Sequence, residues 1–236
     1  MKIFPTLLCL SAAAVDVVSA HYRFMSLTIN GTKTADYQYV RQNNNYQDPI
    51  EAINNWNMRC NAGALQGLKT KTAQVEAGQT LGFSLDRMIF HPGPLQTWIS
   101  RSTVPDVSQY DGSGEWVKIQ SDDAKVQGTV LSWPNWYITE YNFTLPASIA
   151  PGQYLIRAEH IGLHLAQEAG RAQFFVSCAQ VQVTGSGTNI PTGGIRIPGD
   201  PVAYLPRDYQ ATDPGIMLDI NHATSYTAPG PAVWTG

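Results

Sequence analysis

Residues 152–185 read "GQYLIRAEHIGLHLAQEAGRAQFFVSCAQVQVTG", and this stretch decides the fold class. It contains two strand-length runs, "GQYLIRAEHIGL" and "QFFVSCAQVQVTG", rich in aliphatic and aromatic side chains. Such residues suit a pleated backbone, on which successive side chains point to opposite faces. With that period, Arg157, Glu159 and the other odd-numbered positions share one face of the first run, and His160 lies on the other. In the second run Gln173, Phe175 and Ser177 share a face. Similar short runs recur earlier in the chain: "HYRFMSLTI", "TAQVEAG", "TLGFSL", "LQTWISR", "WVKIQ" and "WYITEYNFTL". Several short strands with Gly and Pro turn signals between them predict an all-β domain, a sandwich or a barrel. No long helical period competes, there are no internal repeats, and "DPIEAINNW" predicts one short helical turn.

The two ends of the chain read differently from this middle. Residues 1–20 carry one basic residue, Lys2, then an apolar run, then small residues in "VSA" ending at Ala20. That is the layout of a secretory leader, whose removal would make His21 the amino terminus. The run is too short to span a bilayer, so a membrane anchor is not expected. Residues 21–236 are expected to form a single domain with no carbohydrate-binding module behind it. From about Thr188 to Gly236 the chain is rich in Pro and Gly. Yet Ile195, Ile197, Tyr204, Leu205, Tyr209, Ile216, Leu218, Tyr226 and Trp234 supply too many apolar anchors for a free linker. A long ordered loop wrapped on the sandwich is predicted there.

Charge and cysteine usage narrow the partners and the compartment. A formal net charge of -3 with 14% charged residues gives no basic face, which argues against nucleic acid or an anionic membrane as partner. Cys9 leaves with the leader, and the remaining two, Cys60 and Cys178, are expected to pair in an oxidising compartment. Asn30 and Asn142 open glycosylation sequons, which fits the same setting.

Five histidines remain after the leader: His21, His91, His160, His164 and His222. A histidine in a loop such as "IFHPGPLQTW" is, taken alone, most simply a satisfied surface residue. A histidine at an amino terminus is different, because its free amine and its ring Nδ1 are both nitrogen donors and can close one chelate ring. One further imidazole would place three nitrogens around copper, which favours tetragonal nitrogen sites, and leave a position open for oxygen. His91 is the obvious third donor, since Pro92, Gly93 and Pro94 would hold its loop rigid. His164 and Gln173 could then supply a polar pair beside the metal. Taken alone, Gln173 reads as an exposed strand residue and Phe175 as core.

At this point the chain resembles the fungal lytic polysaccharide monooxygenases of auxiliary activity family 9. The resemblance rests on an ordered set: His21, "YVRQNNN", "MRCN", "VEAGQTLGF", "HPGPLQTWIS", "YDGSGEWVKI", "APGQYLIRAEHIGLH", "AQFFVSCAQVQV" and "YTAPGPAVW". It implies an immunoglobulin-like or fibronectin-III-like β-sandwich whose long loops build a flat face around one copper ion. It implies His21 and His91 as copper ligands, His164 and Gln173 as the pair that positions the oxygen species, and a Cys60–Cys178 disulfide. Two departures stand out. Phe175 occupies the axial position where most of the family has tyrosine, and Phe cannot offer a phenol oxygen. The C-terminal surface reads "DINHATSY", so that sugar stacking falls to Tyr204, Tyr209 or His222.

The activity so implied is copper-dependent oxidative cleavage of β-1,4-glucan chains, cellulose or possible hemicelluloses such as xyloglucan, by hydroxylation at C1 or C4. It draws on O2 or H2O2 and an external electron donor, and the protein is expected to be secreted and monomeric. A glycoside hydrolase needs two facing carboxylates, and no pair among Asp86, Asp122, Asp123, Glu159 and Glu168 suggests one. The competing reading is a secreted copper-binding protein of the same fold, which would need neither His164 nor Gln173. A cell-wall structural domain would leave the cut before His21 unexplained.

Overall fold

The structure, a computed structural model, describes residues 21–199 and 208–236. The leader and the candidate stacking residue Tyr204 lie outside the described residues. The expected runs form strands: β1 (Phe24–Ile29), β3 (Ala73–Glu76), β4 (Thr80–Leu85), β5 (Leu95–Arg101), β6 (Val117–Asp122), β9 (Glu140–Thr144), β10 (Gly152–Gly162) and β11 (Gln173–Thr184). A two-residue β2 (Thr32–Lys33) closes a hairpin with β1. A second hairpin, β7 (Lys125–Gln127) with β8 (Val130–Ser132), was not expected, because Val126 and Val130 are exposed and its residues show no buried face to read. The predicted helical turn is a single 3-10 turn at Trp56–Met58, at the end of the stretch where it was expected; the Asn55 side chain caps it by accepting from the Asn57 N–H.

The strands build the sandwich expected of them. One sheet has the order β2-β1-β4-β9 and the other β3-β11-β10-β5-β6; every pairing is antiparallel except β11 with β3. Between the sheets lies one core, including Leu27, Phe83 and Phe143 from the first sheet and Ile99, Ile156 and Val181 from the second. A second core covers the outer face of the five-stranded sheet. There Trp98, Leu155, Phe174 and Val176 meet Trp116, Ile195, Tyr209 and Ile216 from loops. Burial on both faces is why β10 and β11 read as nearly continuous apolar runs rather than alternating ones.

The second core is where the C-terminal segment docks. Ile195, Ile197, Tyr209 and Ile216 are buried in it, Leu218 and Tyr226 pack against it, and Trp234 packs on the first core. Beneath this segment the odd-numbered face of β10 carries Arg157 and Glu159, both fully buried and joined at 2.6 Å. Arg157 Nε also donates to the Arg59 carbonyl at 2.9 Å, and the Tyr209 hydroxyl donates to Glu159 at 2.7 Å. A buried ion pair survives only when such extra bonds compensate its desolvation. This network corrects one expectation: Tyr209 is 5% exposed and serves as an anchor of the C-terminal segment, not as a ring for stacking on sugars. Cys60 and Cys178 are bonded, tying the loop before β3 to β11 across 118 residues.

Candidate metal centre

Backbone constraints at one end of the sandwich bring the histidines together. His21 precedes β1, and His91 sits in the loop between β4 and β5. Pro92 and Pro94 lack an N–H but keep their carbonyls, which accept from Leu163 and Ile161 at 2.9 and 3.1 Å and so bind the loop to the end of β10. Gly93 between them lies so close to β10 that an added Cβ would stand 1.7 Å from the Ile161 carbonyl oxygen. No other residue fits there. His164 follows β10 directly, and the register pairs His160 with Phe175 and Gly162 with Gln173. A third segment enters along the start of β11, where Ile50 and Phe174 exchange backbone hydrogen bonds.

The rings form one cluster. His21 and His91 have centroids 5.6 Å apart, and His164 stacks on His91 at 3.8 Å and 8°. Phe175 lies 5.5 Å from His21 and 5.7 Å from His91, closing one side of the site. Below it Tyr22 stacks on Phe175 at 4.5 Å, and its hydroxyl shares a 2.6 Å hydrogen bond with His160 Nδ1. Burial pushes the Tyr22 phenol well above its ordinary range and the His160 ring down to about 3, so the pair is neutral in ordinary buffers. His91 is pushed down to about 4, first by burial and then by His164 and His21. His164 is lowered by burial and by His21. Two acidic groups border the site: Asp48, 3.9 Å from His21 Nδ1, and Glu51, which accepts from Gln173 Nε2 at 3.2 Å.

The buried polar atoms left without a hydrogen bond include His91 Nε2, His164 Nδ1 and Gln173 Oε1. A buried polar atom without a partner is costly, and the first two of these sit on rings stacked at 3.8 Å, where one further group could satisfy them. Among the described residues no set of three His, Cys, Asp or Glu side chains is arranged to hold a metal. The side-chain donors the cluster offers a metal are the imidazoles of His21 and His91, whose centroids are 5.6 Å apart. A neutral, unpartnered imidazole nitrogen facing a second histidine fits copper by donor chemistry.

Sequence reading placed His21, His91, His164, Gln173 and Phe175 together, and they are together. Gln173 is 7% exposed, so its reading as an exposed strand residue does not hold. His222 is exposed and bonded to Asp219 at 2.7 Å. Sequence reading missed Tyr22, Asp48 and Glu51. The signal for Tyr22 was strand alternation, which turns it inward once Phe24 is taken as core.

A β-sandwich with such a histidine cluster at one end has the architecture of the lytic polysaccharide monooxygenases, a class of oxidoreductases. The chain belongs to Auxiliary Activity family 9 (formerly GH61), which it matches over residues 21–228. It is 41% identical over 236 residues to AA9 family lytic polysaccharide monooxygenase C of Emericella nidulans, covering 98% of each chain. It is 40% identical over 240 residues to monooxygenase H of Malbranchea cinnamomea, covering 98% and 97%. Among solved structures it resembles a cellulose-active polysaccharide monooxygenase from M. thermophila, with a TM-score of 0.73 at 29% identity over 92% of this chain and 100% of that one.

Proposed function

We propose that this enzyme is secreted, loses residues 1–20, and uses one copper ion held by His21 and His91 to cleave β-1,4-glucan chains oxidatively at C1 or C4. The observation that carries the reading is the buried, unpartnered Nε2 of His91 beside the His21 ring. When bound, copper would supply one-electron chemistry with O2 or H2O2, recharged by an external reductant. The chain's own residues do the rest. His91 stays neutral down to about pH 4, so its nitrogen lone pair is free for a metal through the ordinary range. Phe175, 3% exposed, closes one side of the site with carbon and offers no oxygen donor to a metal held there. His164 is held flat on His91, and Glu51 holds Gln173 by its amide nitrogen. Both residues thus keep a polar atom free to orient an oxygen substrate by hydrogen bonding.

Cellulose is the first substrate to try, since the cellulose-active monooxygenase from M. thermophila shares the fold. Copper-loaded protein beginning at His21 should release aldonic acids or 4-keto oligosaccharides from swollen cellulose or xyloglucan in the presence of ascorbate. Only unoxidised sugars, or no products from any glucan, would sink the proposal. The same protein with one residue left ahead of His21 should bind copper far more weakly, because its amine is then a peptide nitrogen.

A further inference from the structure

Among the described residues of the C-terminal segment little aromatic surface is offered, because Tyr209 is buried and Tyr226 packs against the second core. A different pair stands out. Trp136 and Tyr137 are 41% and 57% exposed, and their rings lie parallel with centroids 5.1 Å apart. Scattered exposed aromatics need no explanation, but these two are built in. The Trp136 indole N–H donates to the Phe90 carbonyl at 2.8 Å. Tyr137 adopts a φ of 65°, a region that bulky side chains rarely occupy, and is held there by its N–H bonded to the Ile89 carbonyl at 2.9 Å. Its ring meets the Phe90 ring edge-on at 5.9 Å. Between the core residue Trp133 and this pair, buried Asn135 donates to the Gly93 carbonyl at 3.0 Å.

Every one of these anchors falls on residues 89–93, the loop that carries His91. The aromatic pair and the proposed metal ligand are therefore fastened to one loop. We infer that Trp136 and Tyr137 form a sugar-stacking subsite that takes a pyranose ring of a neutral β-linked glucan beside His91. The flat C–H face of such a ring is the apolar counterpart of an exposed aromatic face. Rings ordered before binding lose little freedom on it, which turns more of the contact into affinity. The inference rests on the polysaccharide substrate proposed above.

Depletion isotherms of metal-free protein on swollen cellulose, with affinity electrophoresis in xyloglucan gels, test it without any turnover. Trp136→Ala and Tyr137→Ala should each weaken retention about fivefold on at least one glucan, and Trp136→Phe, which keeps a stacking face, less than about twofold. Trp56, 56% exposed beneath the Arg59 guanidinium at 4.5 Å, is the control, and Trp56→Ala should leave retention as it was. Unchanged retention in the double variant, equal loss in Trp56→Ala, or no retention of the unaltered protein on either glucan overturns the subsite. Product chromatography judges the reaction separately. Retention that depends on Trp136 without oxidised products would remove the proposed reaction and leave the subsite in place.

Discussion

His91 is a base kept unprotonated by its surroundings: a buried ring close to His164 and His21 cannot easily gain a positive charge. Its Nε2 has no other partner, so His91→Ala should reduce copper affinity by about a hundredfold or more in isothermal titration. The copper(II) resonance spectrum should change with it. An unaltered affinity and spectrum would place the third nitrogen elsewhere. At this scale the proposed donors stood out in sequence, because a histidine just after a leader-like apolar run and a histidine followed by Pro92, Gly93 and Pro94 are local facts. The Tyr22–His160 pair was not, since its two halves lie 138 residues apart and meet only through the pairing of strands. Trp136 and Tyr137 were equally hidden; "WPNWY" shows aromatic content, but nothing in it says which rings face water.

At the scale of elements, the five-stranded sheet is covered on one side by the other sheet and on the other by loops. The cover is fastened by polar anchors. Tyr209→Phe removes the hydrogen bond to the buried Glu159 carboxylate and should cost about 1.5–3 kcal/mol in chemical unfolding. It should also speed proteolytic trimming of residues 210–236. Cys178→Ser opens a link across 118 residues and should cost roughly 2–5 kcal/mol, seen as a lower Tm than that of the disulfide-bonded protein. A Tm equal to that of the intact protein would mean that burial alone holds the loop before β3. The strands were legible because each carries enough apolar residues to be needed in a core. The β7–β8 hairpin was not, because a hairpin without a buried face leaves no hydrophobic pattern.

For the whole molecule, the histidine cluster couples folding to pH. His160 and His91 stay neutral in the folded protein down to about 3 and about 4, whereas in an unfolded chain they take up protons near pH 6.5. Below that value the unfolded chain binds more protons than the folded one, so stability falls as pH drops from about 6.5 toward 3. The His160 contribution is on the order of several kcal/mol by the end of that window. Scanning calorimetry of metal-free protein should show Tm falling between pH 7 and 4, and falling less in His160→Leu. Equal slopes in the two proteins would show that carboxylates elsewhere set the acid limit. By itself the sequence determined the all-β class, most of the strand runs and the pairing of the two cysteines, and it singled out the histidines proposed as donors. Each of these depends on residue type, spacing or position along the chain. Only the tertiary structure decided that Tyr209 is an anchor rather than a platform, that Tyr22 leans on His160, and that an aromatic pair is bolted to the His91 loop. Those outcomes turn on which surface of a side chain is covered by residues far away in sequence, and burial is a property of the packed whole.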